Sequence, residues 1–276
     1  MTLLARNSLL RVGLILVFVL LLGYVAAVVF VYTRGSEAVL TGFDAGANWL
    51  GLRWSPGPNH LYWLFSALLA QGALSFGALW AMLRMFRKTT APEVFFFSVF
   101  VFTLALDMVK AGHLVIVILE YPPVYSALLT RLLHFGHFLG IFCLLSSSLY
   151  LSGLEYQKTG IVLGIAALLA VTLAYNLPVD FSRLFPNLMH PAGGQTSIQA
   201  VALILGVLVW LNVLYALAAV QERALLVLLL ALVLIVSARE IVLYVSKPIV
   251  FAVGMPMLIA GVMLFAWRIR KQYLWR

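Results

Sequence analysis

Residues 94–119 read VFFFSVFVFTLALDMVKAGHLVIVIL. The run is apolar at nearly every position and shows no two-residue alternation. About 20 such residues, wound as a helix, cross the ~30 Å hydrocarbon core of a bilayer. Backbone groups cannot stay unpaired in lipid, so a spanning segment is a helix or part of a closed barrel. A continuous apolar run selects the helix. Yet this run carries Asp107, Lys110 and His113 at three-residue spacing. A charged side chain near the bilayer centre costs about 2.5–3.5 kcal/mol on insertion scales. These residues therefore need partners, and they predict that the helix lies inside a bundle.

The rest of the chain agrees. Of its 276 residues, 64% are hydrophobic and 10% charged, with a mean hydropathy of +1.08. That excludes an ordinary soluble domain. The apolar runs predict an all-α, polytopic membrane helix bundle of about eight transmembrane helices, near 12–33, 61–83, 94–119, 132–152, 160–179, 198–220, 224–246 and 249–267. The whole chain reads as one integral membrane domain. The first run is too long for the apolar core of a signal peptide. Thr33-Arg34-Gly35 is a poor cleavage site, so that helix is expected to be retained. The lone Cys143 rules out an internal disulfide framework.

Eight crossings put both termini on one side. Arg6, Arg11, Arg84, Arg87, Lys88, Lys158, Arg223, Arg268, Arg270, Lys271 and Arg276 fall on that side. Arg34, Arg53, Arg131, Arg183 and Lys247 fall on the other. The positive-inside rule then makes both termini cytoplasmic and the localisation a cell membrane, of bacterial inner-membrane type in a prokaryote. The net charge of +9 reads as topology and contact with anionic headgroups. No basic soluble face exists for nucleic acid, so none is expected as a partner. The expected partners are the lipid bilayer and a membrane protein or second copy of the chain.

The loops expected outside are the richer ones. They carry Trp49, Trp54 and Ser55-Pro56-Gly57-Pro58, then Tyr121-Pro122-Pro123, then Phe181, Phe185, His190 and Pro191. Span layout also suggests a four-plus-four repeat, in which the charged third helix matches a seventh bearing Arg239 and Glu240. Residue identity between the halves is not evident.

Asp107, Lys110, Arg239 and Glu240 form the intramembrane charge set and sum to zero. Lys110 is expected to pair with Asp107 or Glu240, and Arg239 with Asp107 if spans three and seven pack. Arg131, His134 and His137 repeat the three-residue spacing on span four, which should bring His113, His134 and His137 to similar depth. Asn176 would add a neutral hydrogen bond from span five. The implied function is binding of a small polar ligand, ion or proton in an outward-facing intramembrane pocket, for transport or sensing. Histidine beside carboxylates suits a proton relay. The alternatives are a metal- or haem-dependent intramembrane enzyme using the same histidines, and a structural or assembly subunit. Lys110 beside the histidines disfavours a metal, and the sequence names no cofactor. A HxxxH pair late in the chain, or a lysine deep in the last helices, would point to zinc hydrolases or retinal proteins; neither occurs. Gly136/Gly140 on span four and Ala73/Gly77 on span two are small-residue pairs that permit close helix approach.

Overall fold

The computed structural model describes residues 3–35, 47–49, 52–54, 59–86, 91–153, 158–180, 184–220, 224–244 and 247–274. Among them run α1 (Leu3–Arg34), the short antiparallel strands β1 (Ala47–Trp49) and β2 (Leu52–Trp54), and α2 (His60–Met85). Next come α3 (Pro92–Ile118), α4 (Pro123–Leu151), α5 (Thr159–Tyr175), α6 (Gln195–Val220) and α7 (Ala224–Tyr244). The last helix, α8, starts as a π-helical segment, Val250–Gly254, and continues as Met255–Leu274. Seven of the described helices are long and apolar enough to cross a membrane; α5, with 17 residues, is shorter. The expected loop and flanking residues Ser55 to Pro58, Arg87, Lys88, Phe181, Arg183, Arg223 and Arg276 lie outside the described residues.

Helix α3 is the hub. In its most apolar stretch 89% of residues are buried, against 17% in α1. It packs against α1, α2 and α4, while α4 also carries α5 and α6, and α7 pairs with α6 and α8. Helix α1 buries only a narrow seam of Arg6, Leu10, Val17, Tyr24 and Val31. Most of that seam recurs every seven residues, the period that keeps one stripe facing a neighbour. The Tyr24 hydroxyl donates to the Phe65 carbonyl at 2.6 Å. Phenylalanines fill the interior, with Phe97 stacked on Phe265.

The two small-residue pairs behave differently. A Cβ added at Gly140 would stand 2.6 Å from Thr103 Oγ1, and one at Gly136 2.9 Å from Leu106 Cδ1. Those glycines let α3 and α4 approach closely. A Cβ at Gly77 would meet nothing within 4 Å. The expected close approach at Ala73/Gly77 is thus not made among the described residues, which leave that face of α2 open. Pro256 lies just beyond the π-helical segment. A proline lacks the N–H that its helical position would use and crowds the carbonyl four residues before it, and a π-turn is one way a helix absorbs this.

Candidate functional site

The polar residues of α3 are placed by a change in helix type. Residues Asp107–Lys110 form a 3₁₀ turn inside an otherwise α-helical span. In a 3₁₀ turn the side chains at i and i+3 eclipse each other. Asp107 and Lys110 therefore point the same way, toward α7, where Arg239 and Leu243 sit one turn apart.

Asp107 is fully buried and takes three donors. Arg239 grips it with both terminal nitrogens, Nη2 at 3.0 Å from Oδ1 and Nη1 on Oδ2. Gln71 Nε2 on α2 adds a bond to Oδ2 at 2.7 Å. The expected Asp107–Arg239 pair is present, with Gln71 as a third member. Lys110 pairs with neither Asp107 nor Glu240. Its ammonium donates to the Leu243 carbonyl at 2.7 Å. That carbonyl is in the last turn of α7, where backbone acceptors lack intrahelical donors, so a cation there serves as a cap.

The three histidines do not share a depth. His113 lies opposite Thr130, with Nε2 3.0 Å from the hydroxyl and Nδ1 3.2 Å from the Lys110 carbonyl. His134 and His137 follow Thr130 by four and seven residues, about 6 and 10 Å further along α4. His137 Nε2 comes within 3.2 Å of Glu240 Oε1 on α7. The reason is chain direction: α4 runs antiparallel to α3, so its i, i+3 series descends while that of α3 climbs. Among the described residues, no three His, Cys, Asp or Glu side chains converge as a metal site. Asn176 is also displaced. It is exposed and donates to the Thr172 carbonyl of its own helix at 2.8 Å. Tyr175 is 69% exposed, outside the cluster.

Residues that sequence reasoning did not assign to the site complete it. Between α5 and α6 the chain turns inward, burying Asn187, Leu188, Met189 and His190. Asn187 Nδ2 donates to the Tyr244 carbonyl at 3.3 Å, and its Oδ1 accepts from the Met189 amide. His190 Nε2 is 2.7 Å from the Ser126 hydroxyl, and its ring lies 5.5 Å from that of His113. Met189 packs with Leu133, Leu243 and Tyr244. This segment covers the end of the cluster at which α3 finishes. Among the described residues it packs over that end of the expected pocket, while Glu240 stays partly exposed. The signal in sequence was the run Asn187 to His190 beside Pro191-Ala192-Gly193-Gly194; in the structure Leu188 takes a left-handed φ of 58°.

The cluster holds unspent hydrogen-bonding capacity. Gln71 Oε1, His134 Nδ1, both ring nitrogens of His137, Arg239 Nε and the Tyr244 hydroxyl are buried with no hydrogen-bond partner among the described residues. The His137–Glu240 approach is close but not aligned as a hydrogen bond. The great majority of buried polar atoms in native proteins are partnered by protein or ordered water. Six such atoms lie at or beside the buried Asp107–Arg239 pair.

At the opposite end lies a second polar group. Arg6 Nη2 donates to the Phe86 carbonyl at 2.5 Å, the Tyr273 hydroxyl donates to Glu93, and Ser147 donates to the Glu93 carbonyl at 3.0 Å. These contacts tie the ends of α1, α2, α3, α4 and α8 together. No protein-family profile, curated protein or solved structure matches the chain.

Proposed function

We propose that this protein is a multi-pass protein of a cell membrane that takes up a small polar ligand, an ion or, as favoured here, a proton at the cluster formed by α2, α3, α4 and α7. The use of that uptake is transport or sensing. The observation that carries the proposal is the set of unpartnered polar atoms around the Asp107–Arg239 pair. Within the set, two roles separate. Arg239 and Gln71 both bond Asp107, and the three act as the fixed lock. His137, Glu240, His134 and Tyr244 hold the exchangeable positions.

With Asp107 and Glu240 ionised and Lys110 and Arg239 charged, the set is neutral. Protonating His137 or Glu240 adds one positive charge. The groups facing that proton are Asp107 and Lys110 from α3, His134 from α4, and Arg239, Glu240 and Tyr244 from α7. A roof made of buried side chains favours a proton over a bulkier ligand.

Eight crossings with cytoplasmic termini belong to the same proposal and place the roofed end outside. A four-plus-four repeat is a further part of the reading, on which α1 packing on α2 and α3 and α5 packing on α4 is a difference between the halves.

The test is infrared difference spectroscopy on the reconstituted protein, shifted between about pH 5 and 8, the range in which histidine ordinarily titrates. A carboxyl or imidazole band that Glu240→Gln or His137→Gln removes is expected. An unchanged spectrum in both variants would overturn the proposal.

A further inference from the structure

Apart from the buried cluster, the molecule has an open groove between α2 and α8 with a volume of about 460 Å³. Ala73, Gly77 and Ala81 form its α2 wall, and Met263, Ala266 and Trp267 lie on its α8 wall. At one end it reaches Met85 and Arg270. From Ala73 to Met85 the helix rises about 18 Å. That is slightly more than half of the ~30 Å hydrocarbon core, the depth of a single leaflet.

The groove is apolar along its length and basic at its mouth. Arg270 lines it and is exposed. Arg84 falls seven residues after Gly77, on the same face of α2, and is also exposed. Its guanidinium lies 4.5 Å over the Trp80 ring. Lys271 lies 5.6 Å over Trp267. Tryptophans of this kind sit at the headgroup level of membranes, so the cations stand where a lipid phosphate would be.

We infer that the α2–α8 groove is a specific binding site for one anionic phospholipid, an acyl chain lying along Ala73, Gly77 and Ala81 and the phosphate meeting Arg270 and Arg84. The length matches one leaflet, the walls match an acyl chain, and the charge matches the headgroup. A neighbouring helix would satisfy the walls but leave the cations unmatched.

The experiment uses the full chain in vesicles of phosphatidylcholine containing a minor fraction of phosphatidylglycerol. One lipid or the other carries brominated acyl chains, which quench tryptophan on contact. Trp267→Phe identifies the share of quenching that Trp267 reports. Brominated phosphatidylglycerol is expected to quench Trp267 more strongly than brominated phosphatidylcholine at equal mole fraction. Gly77→Leu fills the groove where an added Cβ meets nothing, and it should abolish that excess while helicity by circular dichroism is retained. Arg270→Gln should weaken the anionic preference about fivefold, the factor one interfacial cation supplies. Equal quenching by both lipids would overturn the inference, as would an excess that survives Gly77→Leu. Protection of Trp267 from both lipids together with a cross-linked dimer would also overturn it, by giving the groove to a second copy. Inorganic phosphate that competes the excess away would assign the cations to a free anion instead.

Discussion

Asp107 and Lys110 are one 3₁₀ turn apart, are equally buried, and have different tasks. Asp107 has its charge met by a bidentate guanidinium and an amide. Removing one member of a buried pair strands the other charge, at about 3–5 kcal/mol. Arg239→Gln is therefore expected to lower stability in detergent by that amount, read as the thermal unfolding midpoint. The double change Asp107→Leu with Arg239→Met should recover much of the loss, because apolar replacement of a whole buried pair is often neutral or stabilising. Lys110 makes one hydrogen bond, to a carbonyl. Lys110→Met removes a buried cation and keeps the shape. It is expected to cost less than 1.5 kcal/mol, taking a roughly volume-conserving swap as the guide. A loss as large as that of Arg239→Gln would show that Lys110 belongs to the lock. The Asp107–Arg239 pair was legible because opposite charges in apolar spans have few places to go. The partner of Lys110 was not legible, because a backbone carbonyl leaves no mark in composition. Asn176 was misplaced for a related reason: its amide satisfies its own helix end, a local option open to any Asn near a terminus.

At the scale of elements, spacing predicted more than it could rank. Two small-residue pairs were visible, and both permitted close packing. The structure uses Gly136 and Gly140 against α3 and leaves Gly77 open. The difference lies in what faces each helix, which is tertiary information absent from a four-residue motif. Gly140→Leu should force α3 and α4 apart and destabilise by about 1–3 kcal/mol, the usual cost of overpacking. Gly77→Leu should be neutral or slightly stabilising, since glycine is a poor helix former. Thermal melts of the two variants side by side check this, and equal losses would contradict the packing described. The 3₁₀ turn was also hidden. Nothing in Asp107 to Lys110 breaks a helix, and the tightening belongs to the backbone of the folded bundle. The inward segment of residues 187–190 was legible as a turn but not as a roof, because its burial depends on Leu133, Tyr244 and Ser126, distant in sequence.

For the whole molecule, the question is how many times the chain crosses, and α5 decides it. Its 17 residues rise about 25 Å, a few ångströms short of a typical ~30 Å core. Mismatch of this size costs fractions of a kcal/mol per ångström and is absorbed by local thinning or by flanking residues. Its surface suits that position: Ile161, Ile165, Leu168 and Leu169 are exposed while Ala166, Ala170 and Ala174 face α4. A helix that presents branched side chains outward and alanines inward is solvated by lipid. A crossing α5 makes the count eight and returns the last helix to the side of the first. A single cysteine placed at Lys158, in a Cys143→Ser background, is then expected to react with an impermeant thiol reagent from the side shared by both termini. One at Asp180 should react from the opposite side. Labelling of both from one side would remove α5 from the membrane and place α1 and α8 ends on opposite faces. The charge asymmetry argues against that outcome, because it would put Arg268, Arg270 and Lys271 across the membrane from Arg6, Arg84 and Arg11. The contact of Arg6 with the end of α2, and of Tyr273 with Glu93 at the start of α3, also holds those ends at one level of the bundle.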